Sequence, residues 1–127
     1  MDDSTFCKIP FPINNIQVLL WTGKNENTAI CSFIDSLTNQ EFDKVARVVA
    51  QIDNMPHRYR HPEKFKILDG DIWEIKADNI RLACFWSLHD LIVFYGFRKK
   101  SQKWPRNDLS NMKGLFVSCK KDVDSKE

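Results

Sequence analysis

The chain has 127 residues, 43% of them hydrophobic and 12% aromatic, with a formal net charge of +2. Those values exclude a disordered chain, which lacks the apolar content to build a core. They fit one domain spanning 1–127, able to bury roughly two-thirds of its unfolded surface.

Charge is unevenly spread. Residues 1–63 carry six bases and eight acids, net −2; residues 64–106 carry nine bases and five acids, net +4; residues 107–127 balance at four each. A basic half on a near-neutral protein is a modest footprint for a phosphate backbone, although charge alone equally suits a solvated face. The cysteines Cys7, Cys31, Cys84 and Cys119 have no CxxC spacing and no nearby histidine to complete a zinc pattern, so no metal or other cofactor is expected. Cys31 and Cys84 sit in apolar runs as small core residues. The acidic start Met1-Asp2-Asp3-Ser4 lacks a signal-peptide apolar core, and no apolar stretch nears membrane-spanning length. Reduced thiols in a cytoplasm are the expected setting.

Residues 1–15, with two prolines and two asparagines, read as an arm. Ile16–Trp21 reads as a strand and Thr22–Asn27 as a turn. Ile30, Phe33, Ile34 and Leu37 recur at helical spacing, and after a break at Thr38-Asn39 so do Phe42, Val45, Val49 and Ile52. Asn39 is the candidate cap of the second helix. The two helices suggest a hairpin packed on a sheet. Residues 54–63 form a basic loop; His57 and His61 there, and His89 further on, read as loop and turn residues.

Phe65–Leu68, Ile72–Lys76, Ile80–Trp86 and Leu91–Phe97 read as strands of an antiparallel meander, joined by turns at Asp69-Gly70-Asp71, Asp78-Asn79 and Ser87–Asp90. A two-residue second turn and a four-residue third turn place Lys76 opposite Arg81 and Arg81 opposite Gly96, with Arg98 one step along. Lys76, Arg81 and Arg98 then converge on one face, with Gly96 leaving room between them. Trp73, Ile75, Leu82, Cys84, Trp86, Val93 and Tyr95 form the opposite, core face. The last strand runs into Arg98, Lys99, Lys100, Lys103 and Arg106, five bases with no acid among them, and into Trp104-Pro105. Pro105 suits a helix start. Leu109, Met112 and Phe116 give a short final helix an apolar side, Gly114 weakens it, and the charged stretch 120–127 is expected to fray.

The stretch "DGDIWEIKADNIRLACFWSLHDLIVFYGFRKKSQKWP", preceded by the helix pair, resembles the RelE/HigB toxin superfamily over about residues 29–113. It is most similar to the phage-derived, HigB-like branch, through "DG.IWEI", "IRL" and "GF.KK.QK.P" in order and at the right spacing. The resemblance implies a small α+β domain: an antiparallel sheet of about four strands carrying an N-terminal helix pair and a short C-terminal helix. It implies the toxin of a type II toxin–antitoxin system, a ribosome-dependent mRNA endonuclease cutting in the A site. The ribosome, mRNA and a cognate helix-turn-helix antitoxin would be its partners.

Carried over by position, Arg81 falls on the arginine tied to the scissile phosphate, and Lys76 on the basic end of the preceding strand. Arg98, Lys99 and Lys100 fall on the basic cluster after the last strand, and Trp104 near an aromatic that meets the target base. Phe85 and Tyr95 depart from the pattern, where tyrosine and histidine are common. The implied chemistry is attack of an RNA 2′-hydroxyl on the adjacent phosphate, which needs a base, cations for the phosphorane and an acid. Arg81 suits the phosphate clamp, and a crowded Lys76 or Lys99 the base. The acid stays open among Tyr95, His61 and a cation. Arg98, Lys100, Lys103, Trp104 and Arg106 would bind RNA. Against this stand plain readings: cross-strand pairing of Lys76 and Arg81 with Glu74 or Asp78, Trp104 as cover for the last helix, and Tyr95 as core.

Overall fold

A computed structural model of the chain describes residues 5–23, 28–99 and 104–126. In order come strands β1 (Phe6–Lys8) and β2 (Gln17–Trp21), helices α1 (Ala29–Asp35) and α2 (Asn39–Asn54), strands β3 (Phe65–Asp69), β4 (Ile72–Ala77), β5 (Ile80–Ser87) and β6 (Asp90–Arg98), and helix α3 (Arg106–Lys126). All strands join one sheet in the order β1-β2-β6-β5-β4-β3. The α+β class stands. The sheet has six strands, however, rather than about four, and it is mixed: β2 runs parallel to β6. β1 lies inside the expected arm and pairs antiparallel with β2.

The sheet is a middle layer. On one face α1 and α2 pack Ile30, Val45, Val49 and Ile52 against Val18, Ile75, Leu82 and Val93. On the other, α3 packs Met112, Cys119 and Val123 against Ala83, Phe85, Ile92 and Phe94. The cap of α2 lies one residue before the expected one: Thr38 is the N-cap, and its hydroxyl and the Glu41 carboxylate form a capping box. Asn39 is already helical, because Thr-x-x-Glu satisfies two terminal N–H groups where Asn39 would satisfy one. At the other end of α2, buried Asp53 accepts N–H bonds from Asn14, Asn15 and Ile16 at 2.8–3.1 Å, tying the segment before β2 to the helix. Burial pushes the Asp53 carboxyl up, but these three donors pull it below its ordinary value.

Two features of α3 differ from expectation. It is 21 residues long rather than short, and it continues through the stretch expected to fray. Val123 is 6% exposed, and the Trp21 indole N–H donates to Asp122 at 2.8 Å, so burial sustains the helix where composition alone would not. Among the described residues, no helix is long and apolar enough to cross a membrane.

Strand register decides which side chains share a face. From the turn inward, β5 and β6 pair as expected, through Trp86↔Leu91, Phe85↔Ile92 and Cys84↔Val93. Then β6 carries a bulge at Phe94, and Ala83 pairs with Tyr95. A bulge puts two residues opposite one and reverses the alternation beyond it. Arg81 therefore faces Phe97, not Gly96. Tyr95 and Phe97 lie on the α3 face, not on the helix-pair face. Gly96 lies under α1: a Cβ there would come within 2.7 Å of both Leu82 and Phe33. It is a packing glycine rather than a spacer between cations. β3 has a matching irregularity at Leu68, which sets Lys66 opposite Glu74.

Candidate nucleic-acid interface

The end of the sheet under the start of α3 gathers cations from four strands' worth of chain. β4 and β5 are joined by a tight turn in which Asp78 takes a left-handed conformation, φ 61°, and Lys76 faces Arg81 across it, as expected. Glu74 lies two residues back on the same face, and Lys66 of β3 lies opposite it. Lys99, just past β6, donates its backbone N–H to Asn79 O at 2.7 Å, which holds it beside the same turn. Trp104 closes the arrangement from the α3 side. Its indole N–H donates to Glu74 Oε2 at 2.6 Å, and its ring meets Phe97 edge-on with centroids 4.7 Å apart.

The result is a groove of about 430 Å³ lined by Lys66, Glu74, Lys76, Lys99, Trp104 and Lys113, among others. Lys113 is paired to Asp69 at the rim, at 3.3 Å. Glu74, 1% exposed, is the sole carboxylate on the floor among the described residues. Arg81 approaches it at 3.6 Å through Nε, while its Nη1 donates to Asp78 O at 2.6 Å and Ile80 O at 3.0 Å. Lys66, Lys76, Arg81 and Lys99 thus surround one anion. Burial holds the Lys76 amine below its ordinary value, with Lys66 and Arg81 adding to that and Glu74 opposing it. Burial does the same to Lys99, helped by Arg81 and Lys76 and again opposed by Glu74. Partly buried cations held together against mutual repulsion are stabilised by an incoming anion.

A profile of the family described as "Phage derived protein Gp49-like (DUF891)" matches residues 32–116, two-thirds of the chain and every groove residue named above. The chain belongs to the Gp49-like family. That family is of the toxin type and related to the RelE-like toxins. A search of curated proteins returns no match.

Not all residues expected at the Gp49-like site reach it. Lys76, Arg81, Lys99 and Trp104 come together. Arg98 lies on the opposite face, because the β6 bulge sends it there. Its guanidinium donates to Glu41 at 2.8 and 2.9 Å and to Ser36 O at 3.0 Å, and it sits 5.3 Å from the Phe33 ring centroid. The hydrogen bond from Arg98 is the main reason the Glu41 carboxyl is held down to about 2. Arg98 therefore ties the helix pair to the sheet and does not converge with Lys76 and Arg81. Arg106 is exposed at the start of α3. Lys100 and Lys103 lie outside the described residues.

The two positions that depart from the resemblance are also accounted for. Phe85 is buried in an aromatic cluster with Phe94 and Phe116. Tyr95 is buried too, and its hydroxyl donates to Asp108 of α3 at 2.5 Å. Burial, then Asp108, push the Tyr95 phenol up. The loop at 54–63 is largely exposed, as expected, and within it the His57 ring lies 4.1 Å from Trp86 and the Arg60 guanidinium 5.0 Å from Trp73. Sequence reasoning missed Lys66 and named Glu74 only as a pairing partner of Lys76 and Arg81; the Arg81–Glu74 pair is present, at 3.6 Å. Alternation along Glu74-Ile75-Lys76 already places Glu74 beside Lys76; Lys66 needs the β3 bulge, which carries no sequence signal here.

Proposed function

We propose that this Gp49-like protein is the toxin of a type II toxin–antitoxin system, of the HigB-like branch, and an endoribonuclease that cuts mRNA in the ribosomal A site. The observation that carries the reading is the convergence of Lys66, Lys76 and Lys99 on a groove walled by Trp104, with Arg81 ion-paired at 3.6 Å to the Glu74 that lines it. The scissile phosphate would sit among these cations, with Arg81 the best clamp for its planar pair of oxygens. One lysine of the Lys76/Lys99 pair, in its neutral form, takes the proton of the 2′-hydroxyl, and burial lowers the proton affinity of both. The 2′-oxygen forms its bond to phosphorus and the bond to the 5′-oxygen breaks, giving a 2′,3′-cyclic phosphate. The other lysine, still charged, supplies the proton to the departing 5′-oxygen. Arg81 and Lys66 offset the charge of the phosphorane. The ribosome supplies the alignment of the strand, so free RNA is a poor substrate. A helix-turn-helix antitoxin and a cytoplasmic setting complete this reading.

A second reading is favoured by one observation: the Tyr95 hydroxyl, whose ring stacks against the Trp104 wall, is engaged by Asp108. A groove without that acid would bind RNA and ribosomes without turnover. Ribosomes programmed with a defined mRNA separate the two. Codon-phased 5′ ends should appear with the wild-type protein and fall by about 10²–10³-fold in Arg81→Ala. Undiminished cutting by that variant overturns the site. Ribosome binding with no new ends establishes the second reading.

A further inference from the structure

A second groove, of about 580 Å³, opens between α2 and the segment leading into β3. Lys76 lines both grooves and so forms the partition between them. Helix α2 contributes Lys44, Arg47 and Gln51, spaced along one stripe of its surface. The other wall carries Tyr59, His61 and Lys64. The Lys76 backbone N–H donates to Lys64 O at 2.8 Å, which prolongs the β3–β4 ladder and sets Lys64 opposite Lys76. Residues opposite one another share a face, and so do residues two apart on a strand. Lys64, Lys76 and Lys66 therefore make one row of cations running from the second groove into the first. Against its four cations the second groove has two acids, Glu63 and Asp78, and Asp78 is already paired to Lys44 at 2.6 Å. Half-buried Tyr59 adds an aromatic surface with a firm backing. Trp73, buried Phe65 and Tyr59 stack in succession, with centroids 4.6 and 6.2 Å apart and successive planes 19° and 15° apart. His61 follows at 6.5 Å, held by a bridge to Phe65 and by the Glu63 N–H, which its Nδ1 accepts at 3.0 Å. A merely solvated helix face needs no such column of rings across from it, whereas cations beside a stacking platform are what single-stranded nucleic acid uses.

We propose that the second groove is a further nucleotide subsite, which holds RNA flanking the scissile phosphate: a base lies on Tyr59 while its phosphate meets Arg47 and Lys64. This rests on the reading of the first groove as an RNA site. A strand with its scissile phosphate beside Lys76 has only that partition to cross before it reaches Tyr59. The subsite lies to one side of the cleavage position, so it engages one flank of the strand. Stacking accepts any base, so the subsite adds affinity and fixes the strand in place rather than reading sequence.

The test is binding of 2′-O-methyl oligoadenylates, which cannot be cut, to the full chain at several salt concentrations. Tyr59→Leu keeps apolar cover over Phe65 but removes the platform, and should weaken a hexanucleotide about fivefold or more. A dinucleotide, which the first groove holds alone, should bind wild type and Tyr59→Leu equally. Arg47→Ala and Lys64→Ala change exposed side chains and keep the fold. Each should lower the slope of log affinity against log salt by about 0.7 for the hexanucleotide, as loss of one phosphate contact requires. Lys121→Ala, at the far end of α3, should leave that slope unchanged. A hexanucleotide that Arg81→Ala weakens but Tyr59→Leu, Arg47→Ala and Lys64→Ala do not overturns the second subsite and leaves the first groove as an RNA site. An equal loss in Lys121→Ala also overturns it, since the effect is then one of net charge. A wild-type protein that binds neither strand overturns both readings.

Discussion

At the scale of single residues, the groove is governed by how a single carboxylate is shared. Glu74 raises the proton affinity of both Lys76 and Lys99, while burial and the neighbouring cations lower it. The balance leaves both amines below the ordinary lysine value of 10.5. The folded protein thus sheds these protons at lower pH than the unfolded chain does. Their contribution favours the fold at pH above 10.5 and is lost as pH falls through the lowered values. For cleavage the same shift fills the base form earlier. The rate should rise with pH along a limb whose midpoint lies below 10.5, and Glu74→Gln should move that midpoint lower still. A pH–rate profile checks this; a midpoint that moves upward in Glu74→Gln contradicts the placement of the two lysines beside Glu74. Lys76 and Arg81 were legible as partners because a two-residue turn leaves little freedom in register. The hydrogen bond from Trp104 to Glu74 was not, since Trp104 arrives from 30 positions away.

Among elements, the two bulges decide which cations face the groove. Without the one at Phe94, alternation would put Arg98 on the groove face and Lys99 beneath the helix pair; with it, the two trade places. The bulge at Leu68 does the same for Lys66. Neither is written in the local pattern. The run Leu91–Phe97 is apolar at every position because both faces of β6 are covered, so hydrophobic alternation holds no phase information there. The helix pair was readable because α2 has one apolar side; β1 and the parallel docking of β2 were not, because three residues carry no period and the partner strand lies far along the chain. The bulge also sets Gly96 beneath Phe33, where a methyl group has no room. Gly96→Ala should lower stability by about 1–3 kcal/mol through overpacking, seen as a lower denaturant midpoint at unchanged slope. A neutral result would mean that α1 does not press on β6 there.

For the whole molecule, α3 is both wall and lid. Leu109 lines the groove, while Met112 and Cys119, each 0% exposed, cover the Phe85–Phe94–Phe116 cluster. Ending the chain after Gly114 should therefore abolish cooperative unfolding, as measured by thermal circular dichroism, and not merely weaken ribosome binding. A truncated chain that still melts in one sharp transition would show that the six-stranded sheet is self-sufficient. The parallel contact of β2 with β6 bears on how the molecule comes into being. Val18 pairs with Leu91 and Leu20 with Val93, so β2 is synthesised long before this second partner strand exists. The β3–β6 meander is local in sequence and free to form first. β2 can dock only after β6 is made, and Trp104 can reach Glu74 only later still. A growing chain thus carries its basic floor for a time with no wall over it.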